Sequence, residues 1–210
     1  GAGKSSCARR VATELDFSFL DTGAMYRAAT WNAVHRGIDL DDAEALAEAT
    51  RQMELVLDET ADGVRVTVDG HDVSQAIRTP EITRIIYKLD QRPAVREHLV
   101  ELQRRFALRG PIVAEGRDMG TVVFPAARCK VFLDASVDER ATRRMRQLEE
   151  KGMPGDFETI RREIAERDEM TRTRAVAPLR PAEDAVIVDS TGLTLDEVVA
   201  ALVALARERL

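Results

Sequence analysis

The stretch GAGKSS at residues 1–6 decides the fold. Residues 3–5, Gly-Lys-Ser, are the end of the pattern G-x-x-x-x-G-K-[ST], in which backbone amides cradle phosphates. Residues 1–2 fill the two positions before this end, and the first three positions have no counterpart. Because such a loop follows a buried strand, we predict that the chain lacks that first strand. The six residues leave one alternative open, an ordinary glycine-rich turn before a helix.

Short apolar runs alternate with helical patterns along most of the chain. This alternation predicts an α/β fold, a parallel sheet with helices on both faces. The predicted strands are 17–20, 111–116, 129–135 and 185–190. The predicted helices are 4–15, 22–36 closed by Gly37, 41–53, 93–108, one after a capping box at Ser136 and Glu139, and one after a capping box at Thr194 and Glu197.

Residues 54–70 have a different texture, because apolar and polar side chains alternate there. With turn signals at Asp62-Gly63 and Asp69-Gly70, this pattern predicts an antiparallel hairpin, with a third strand at 71–73. Thr79-Pro80 then predicts a helix start. We therefore expect a small mixed insert of antiparallel sheet and helix, residues 54–92, within a single domain of residues 1–210.

Composition limits the partners of the chain. A net charge of −6 disfavours nucleic acid, and no apolar run approaches the ~18 residues of a membrane span. Cys7 and Cys129 lie far apart without ligand-like spacing, which is typical of a reduced cytoplasmic protein. We expect a monomer. Arginine outnumbers lysine 27 to 4, a bias that a GC-rich genome would produce without functional meaning. The clustering of ten arginines between Arg140 and Arg180 is not explained in that way, and it favours a small anionic ligand over a polymer.

Two segments place polar residues directly after predicted strands, where open α/β sheets bind ligands. LDTGAMYR (20–27) offers Asp21, Thr22, Tyr26 and Arg27 at a strand end, although a helix cap at Thr22 and a solvated Arg27 are the preferred explanation of this segment taken alone. AEGRDMGTVVFP (114–125) offers Arg117 and Asp118 between two glycines that allow close approach to a ligand. A mutual pair of these two side chains is the alternative.

A third segment, residues 166–179, ends the arginine-rich region. Arg167, Thr171 and Arg174 follow helical spacing, so we expect them to share one face. A solvated, salt-bridged face is the alternative reading. The segment 149–178 is predicted to be a helical lid, with hinges at Gly152, Pro154, Gly155 and Pro178.

Taken together, these motifs resemble the bacterial cytidylate kinases of the P-loop nucleoside monophosphate kinase group. GAGKSS, LDTGAMYR, VREHLVELQRRF, EGRDMGTVVFP and RAVAPL occur in that family's order across nearly the whole chain. The resemblance implies a pyrimidine-metabolism transferase that moves the γ-phosphoryl group of ATP to CMP or dCMP, with Mg²⁺. The family's enlarged monophosphate-binding insert corresponds to residues 54–92.

The resemblance also implies roles for individual residues. Lys4, Arg117 and Arg174 are the expected catalytic residues. The expected ATP-binding residues are Gly1, Ala2, Gly3, Lys4, Ser5 and Ser6, with Ser5 beside the metal. The expected substrate-binding residues are Thr22, Arg27, Arg96, Arg117, Asp118, Arg167, Thr171 and Arg174.

Two positions depart from the family pattern, whereas the lack of a histidine after a predicted strand agrees with it. Tyr87 stands where a small serine is usual near the base, and Thr171 where an aspartate usually contacts the ribose. No histidine follows a predicted strand, and His35, His71 and His98 are expected to be solvated. A phosphate nucleophile needs no general base, because it is already largely ionised near neutral pH.

Two rival functions remain open from the sequence. An alcohol kinase of the same fold would use Asp21 or Asp118 as a base, but it would not need the insert or so many lid arginines. A non-catalytic nucleotide-binding module is the other rival. The retained Gly-Lys-Ser at residues 3–5 argues against it, because a degenerate loop usually loses its lysine.

Overall fold

The computed structural model describes residues 3–60, 63–150, 152–153 and 155–210. The chain divides into two compact units. The terminal unit consists of Gly1–Asp16 and Arg117–Leu210, and the central unit is Phe17–Gly116. The predicted insert falls within the central unit and the predicted lid within the terminal unit. A single domain with these two parts stays a prediction.

The first helices and the first strand lie where the sequence predicts them. They are α1 (Lys4–Leu15), β1 (Ser18–Asp21), α2 (Thr22–His35) and α3 (Ala43–Gln52). Asp16 ends α1 with a left-handed φ of 56°. Gly37 follows α2 with φ 65°, the conformation for which glycine is the usual residue at a helix end.

An antiparallel sheet of three strands follows, as predicted. It consists of β2 (Leu55–Thr60), β3 (Gly63–Val68) and β4 (His71–Asp72) in the order β2-β3-β4. Val66 and Val68 are buried, as the alternation requires. Asp69 and Gly70 both have positive φ, 48° and 81°, which suits a two-residue hairpin turn. The other predicted turn involves Asp62, which lies outside the described residues.

Short helices connect this sheet to the last strand of the central unit. The elements are a 3₁₀ turn (Ala76–Arg78), α4 (Pro80–Ile85), α5 (Tyr87–Asp90), α6 (Pro93–Ala107) and β5 (Ile112–Glu115). Thr79 caps α4 by accepting from the N–H of Ile82, as predicted. β5 runs parallel to β1 with Asp21 opposite Glu115, so both strands end at the same edge.

The rest of the terminal unit is again α/β. Its elements are a π-helical turn (Met119–Val123), β6 (Val131–Asp134), α7 (Val137–Glu149), α8 (Phe157–Thr173), β7 (Val186–Asp189) and α9 (Leu195–Arg209). β6 and β7 are parallel, with Asp134 opposite Asp189. Parallel strands alternating with helices in both units confirm the predicted fold class. None of the helices in the described part of the chain is long and apolar enough to cross a membrane.

One of the two predicted capping boxes is present. At α9, the Thr194 hydroxyl accepts from the N–H of Glu197, and the Glu197 carboxylate accepts from the N–H of Thr194. At α7, the Ser136 hydroxyl accepts from the N–H of Glu139, but the Glu139 carboxylate binds Arg143 instead of returning. The α7 box is therefore wrong in its second half, because a nearby guanidinium is the better partner for a carboxylate.

Candidate active site

The N-terminus of α1 is built to receive an anion. Gly3 precedes the helix with a left-handed φ of 75°, and no side chain caps the first turn or places a carboxylate in it. A Cβ on Gly3 would lie 3.8 Å from the Sγ of Cys7, so backbone conformation and not space requires glycine here. Ser5 and Ser6 are exposed. Predicted phosphate ligands Gly1 and Ala2 lie outside the described residues.

Most other helices of the chain satisfy their own N-terminal amides. Side-chain caps are present at Asp21, Asp42, Thr79, Ser136, Asp156 and Thr194. At α1, by contrast, no side-chain cap is present among the described residues, the helix dipole has its positive end here, and Lys4 adds a positive charge. This donor set fits a chain of phosphates.

At the start of α2, one buried carboxylate organises the predicted phosphate-binding arginine. Asp21 accepts from the N–H of Ala24 at 2.8 Å and from Nη2 of Arg27 at 3.2 Å. The guanidinium of Arg27 lies over Gly23, where a Cβ would approach its Nη1 to 3.0 Å. The buried Nε of Arg27 has no hydrogen-bond acceptor among the described residues. Arg27 is thus oriented but retains donors.

Two further predicted residues lie near the same helix. The hydroxyl of Thr22 donates to the carbonyl of Glu115 at 2.7 Å, which joins the start of α2 to the end of β5. Arg96 on α6 is buried, donates to the carbonyl of Asp90, and lies over the ring of Tyr26 at 5.6 Å from its centroid. Thr22, Arg27 and Arg96 are therefore brought to the first half of α2.

Arg117 and Asp118 open the terminal unit after β5. Asp118 is buried, and its carbonyl accepts from the amides of Val122 and Val123 in the π-helical turn. A Cβ on Gly120 would lie 3.2 Å from Lys130 Cδ and 3.3 Å from Ala182 Cβ. Protein side chains therefore occupy the space where a side chain at this position would lie, and close approach of a ligand to the Gly120 backbone stays a prediction.

The end of α8 contradicts the prediction that Arg167, Thr171 and Arg174 share one helical face. The helix stops at Thr173, and Arg174 has extended backbone angles, φ −62° and ψ 144°. Its Nε donates to the carbonyl of Ala177 at 2.6 Å, and Ala177 has a left-handed φ of 46°. Arg174 is thus held by a strained turn and not by the helix. The spacing argument failed because sequence periodicity does not report where a helix ends.

Thr171 and Arg167 occupy different environments on α8. Arg167 is exposed, whereas Thr171 is buried and its hydroxyl donates to the carbonyl of Arg167 at 2.6 Å. The expected sugar contact of Thr171 stays a prediction.

The two predicted glycine hinges of the lid differ from each other. Gly152 has φ 66° and open space around it, whereas a Cβ on Gly155 would lie 3.0 Å from Ile160 and 3.1 Å from Leu148. Pro154 lies outside the described residues.

The arginine cluster is partly structural. Arg140 binds Asp168, Arg143 binds Glu139 and the loop after β7, and Arg161 binds Asp138. Protein acceptors already hold the guanidinium groups of these three arginines, so the expected anionic ligand would be bound by other arginines of the segment. Composition shows the number of cations but not their partners.

The three histidines lie away from the carboxyl ends of the parallel strands. His35 and His71 are exposed, and His35 stacks on Trp31 with ring centroids 4.6 Å apart. His98 is half-buried on α6, and burial lowers its pKa, so the prediction that all three are solvated is wrong for it. Within the described ranges, no cluster of three or more His, Cys, Asp or Glu residues could hold a metal ion.

Sequence reasoning missed two features of these sites. Asp21 was noted as a strand-end residue, but its double role for α2 and Arg27 was not inferred. Asp21 stands three positions before the helical amide of Ala24, and this spacing could have indicated the cap. The left-handed Ala177 has no sequence signal, because alanine rarely adopts that conformation.

Comparison with known proteins gives a consistent family. The family model described as cytidylate kinase matches residues 1–208. A cytidylate kinase of Vibrio cholerae is 48% identical over 199 residues, 95% of this chain and 88% of that protein. One of Aeromonas hydrophila is 45% identical over 210 residues, all of this chain and 91% of that protein. A bifunctional pantoate ligase/cytidylate kinase of Synechococcus is 48% identical, and the match covers 39% of its length.

Proposed function

Because the chain belongs to the cytidylate kinase family, we propose that it transfers the γ-phosphoryl group of ATP to CMP or dCMP, giving ADP and CDP or dCDP. One structural observation carries the proposal furthest. Arg27 is oriented by Asp21 yet keeps a buried Nε without an acceptor in the described part of the chain. A guanidinium in this state is suited to bind a monophosphate through two parallel hydrogen bonds.

The N-terminus of α1 would bind the phosphates of ATP. Its uncapped amides, Gly3 and the hydroxyls of Ser5 and Ser6 supply donors, and Lys4 supplies a charge. Ser5 would ligate Mg²⁺, which when bound neutralises negative charge on the phosphates. Mg²⁺ sites of this kind take most of their ligands from phosphate and water, so a protein carboxylate cluster is not required.

Arginines are also proposed to bind the acceptor nucleotide. Arg27, Arg117 and Arg174 are the proposed ligands of its phosphate. Arg96 and Asp118 are the proposed ligands of cytosine, since a carboxylate can accept from the exocyclic amine that uracil lacks. Thr22, Arg167 and Thr171 are proposed on the sugar side.

The reaction would proceed without a general base. The acceptor phosphate has a second pKa near ~6 and is largely ionised at neutral pH, so the protein supplies position and positive charge. Lys4, Arg117 and Arg174 would stabilise the charge that spreads over the transferred group. Asp21 is a poor base for an alcohol, because its two oxygens accept from Ala24 and Arg27. This disfavours the alcohol-kinase alternative.

A coupled ADP-release assay tests the proposal. The full-length protein would be supplied with ATP, Mg²⁺ and, in separate reactions, CMP, dCMP, UMP, AMP or shikimate. We expect turnover with CMP and dCMP and little with AMP. Equal turnover of AMP would contradict the assignment, as would activity on shikimate only. Monomeric state, cytoplasmic location and the absence of a nucleic-acid partner stay predictions.

A further inference from the structure

Arg140 joins three parts of the terminal unit. Its Nη1 and Nη2 donate to the two carboxylate oxygens of Asp168 on α8 at 3.0 and 2.6 Å. Its Nε donates to the carbonyl of Ala135, just after β6, at 3.1 Å. The guanidinium therefore ties the end of a strand, its own helix α7 and the lid helix α8 together in one planar group.

This ion pair is much less exposed than the Arg161–Asp138 pair, which also joins α7 to α8. The side chains of Arg140 and Asp168 are 12% and 22% exposed. Arg161 and Asp138 form a second Arg–Asp pair between the same two helices, but their side chains are 48% and 67% exposed. The two pairs share chemistry and helices, and they differ in burial and in the two-point geometry of Arg140.

The contact of Asp168 constrains the rotation of α8 about its axis, and so the direction in which the neighbouring side chains point. Along the helix, Ile160, Asp168 and Thr171 face inward, while Arg167 is exposed. Successive residues differ in direction by about 100°, since a turn has 3.6 residues. Holding the Asp168 carboxylate on Arg140 therefore sets the rotation of α8, and with it the direction of Arg167 and the starting point of the turn that carries Arg174.

We propose that Arg140 is a positioning residue: its bidentate ion pair with Asp168 fixes α8 so that Arg167 and Arg174 can meet the acceptor nucleotide. The inference rests on the proposed function for what those two arginines bind. Arg140 itself contacts no substrate, because Asp168 and Ala135 take its donors. Removal of either partner leaves the other as a half-buried charge, which is more harmful than removal of both.

A double-mutant cycle tests this inference. The variants are Arg140→Gln, Asp168→Asn and the double variant, with Arg140→Lys as the conservative replacement and Arg161→Gln as the matched control. Each single substitution at the pair should raise KM for CMP about five- to thirtyfold, the factor typical of a coupling between contacting residues. KM for ATP should change far less. The double variant should be less impaired than either single variant, because it leaves neither half-buried charge without its partner.

The control and the conservative variant sharpen the test. Arg161→Gln should leave both KM values within about twofold, since exposed pairs contribute little. Arg140→Lys keeps the charge but loses the two-point geometry, so it should recover only part of the loss. Additive effects of the two single substitutions would overturn the proposal, as would an unchanged KM for CMP accompanied only by lower thermal stability.

Hydrogen exchange separates failure of this inference from failure of the proposed function. In the protein without nucleotide, amides of residues 157–173 should exchange faster in Arg140→Gln and Asp168→Asn than in wild type, and Arg161→Gln should resemble wild type. This readout does not depend on activity. If wild type lacks cytidylate kinase activity but the exchange pattern holds, the pair positions α8 and the substrate assignment alone is wrong. Unchanged exchange in both pair variants would overturn the positioning role.

Discussion

Arg27 and Arg143 show two different uses of an arginine in this chain. Arg143, on α7, donates from Nε to Glu139, from Nη1 to the hydroxyl of Ser190, and from Nη2 to the carbonyls of Ser190 and Leu193. Arg27, on α2, makes one hydrogen bond of 3.2 Å to Asp21 among the described residues, and its Nε has no acceptor. All three nitrogens of the Arg143 guanidinium donate to protein acceptors, whereas the Nε of Arg27 has no acceptor among the described residues.

The difference teaches how to separate structural from ligand-binding arginines when composition is biased. The sequence has 27 arginines, so their number and clustering say little about any one of them. The count of donors already matched by protein acceptors is more informative, because a guanidinium has five N–H groups and a buried unmatched one is costly. By this measure Arg27 is suited to an anion, and Arg143 stabilises the loop after β7.

The largest expected effect follows Arg27→Ala. A charged hydrogen bond contributes roughly 1.5–3 kcal/mol, and arginine offers a phosphate two of them. We expect kcat/KM for CMP to fall about a hundredfold, equivalent to about 2.7 kcal/mol, and the free energy of unfolding to fall by less than that. Asp21 loses its ion pair in this variant but keeps the hydrogen bond from the Ala24 N–H. Steady-state kinetics and urea unfolding of the same preparation measure both. Arg27→Lys, which keeps charge without the planar fork, should be intermediate. A loss of stability as large as the loss of activity would make Arg27 structural, like Arg143.

Arg117→Ala should be next in size and different in kind. Arg117 is proposed to act on the transferred group, so more of its stabilisation is realised as charge shifts in the transition state. Turnover should fall by a factor corresponding to about 1.5–3 kcal/mol, with little change in ATP affinity. Single-turnover kinetics and ATP titration measure the two quantities. An unchanged turnover number with only a raised KM for ATP would reject this role.

Arg143→Ala should lower stability and leave activity nearly unchanged, the reverse of what we expect for Arg27→Ala. Its guanidinium links α7 to Ser190 and Leu193, so removal leaves several acceptors without a donor. We expect the free energy of unfolding to fall by about 1–3 kcal/mol, while kcat per folded molecule stays within twofold of wild type. Urea unfolding gives the first quantity and the coupled assay the second. A large drop in kcat with unchanged stability would remove the distinction between the two arginines.

The sequence predicted helices, strands and caps better than it predicted contacts between residues that are distant in the chain. Helix α1, the three-stranded antiparallel sheet and the Thr194–Glu197 cap follow from local pattern, because their hydrogen bonds join residues close in sequence. The environment of Arg96 does not, since Tyr26 comes from another helix. The neighbours of Gly120 could not be predicted either, since Lys130 and Ala182 approach it only in the folded chain.

Backbone conformation at the end of α8 marks a second limit. Alanine has no preference for positive φ, so the left-handed Ala177 that holds Arg174 is invisible in the sequence. Such a conformation costs energy and persists only where its surroundings impose it. The family resemblance proposed Arg174 as a phosphate ligand, but the way it is held could be read only from the structure.

The smallest expected effect concerns Thr171 and the sugar. A carboxylate could accept from both ribose hydroxyls, whereas the Thr171 hydroxyl already donates to the carbonyl of Arg167 at 2.6 Å. Wild type should therefore distinguish CMP from dCMP weakly. Thr171→Asp should raise the preference for CMP by about 1 kcal/mol, less than tenfold in kcat/KM.

Thr173 offers a matched control for that substitution. Its hydroxyl makes the same kind of bond, to the carbonyl of Glu169 at 2.7 Å, but the residue is exposed. Thr173→Asp should leave the ratio of kcat/KM for CMP and dCMP unchanged, which separates a local contact from a general effect of negative charge on α8. If wild type already prefers CMP strongly and Thr171→Asp changes nothing, Thr171 does not touch the sugar. The inward face of α8 would then serve packing against α7, and Thr22 and Arg167 would remain as the proposed sugar ligands.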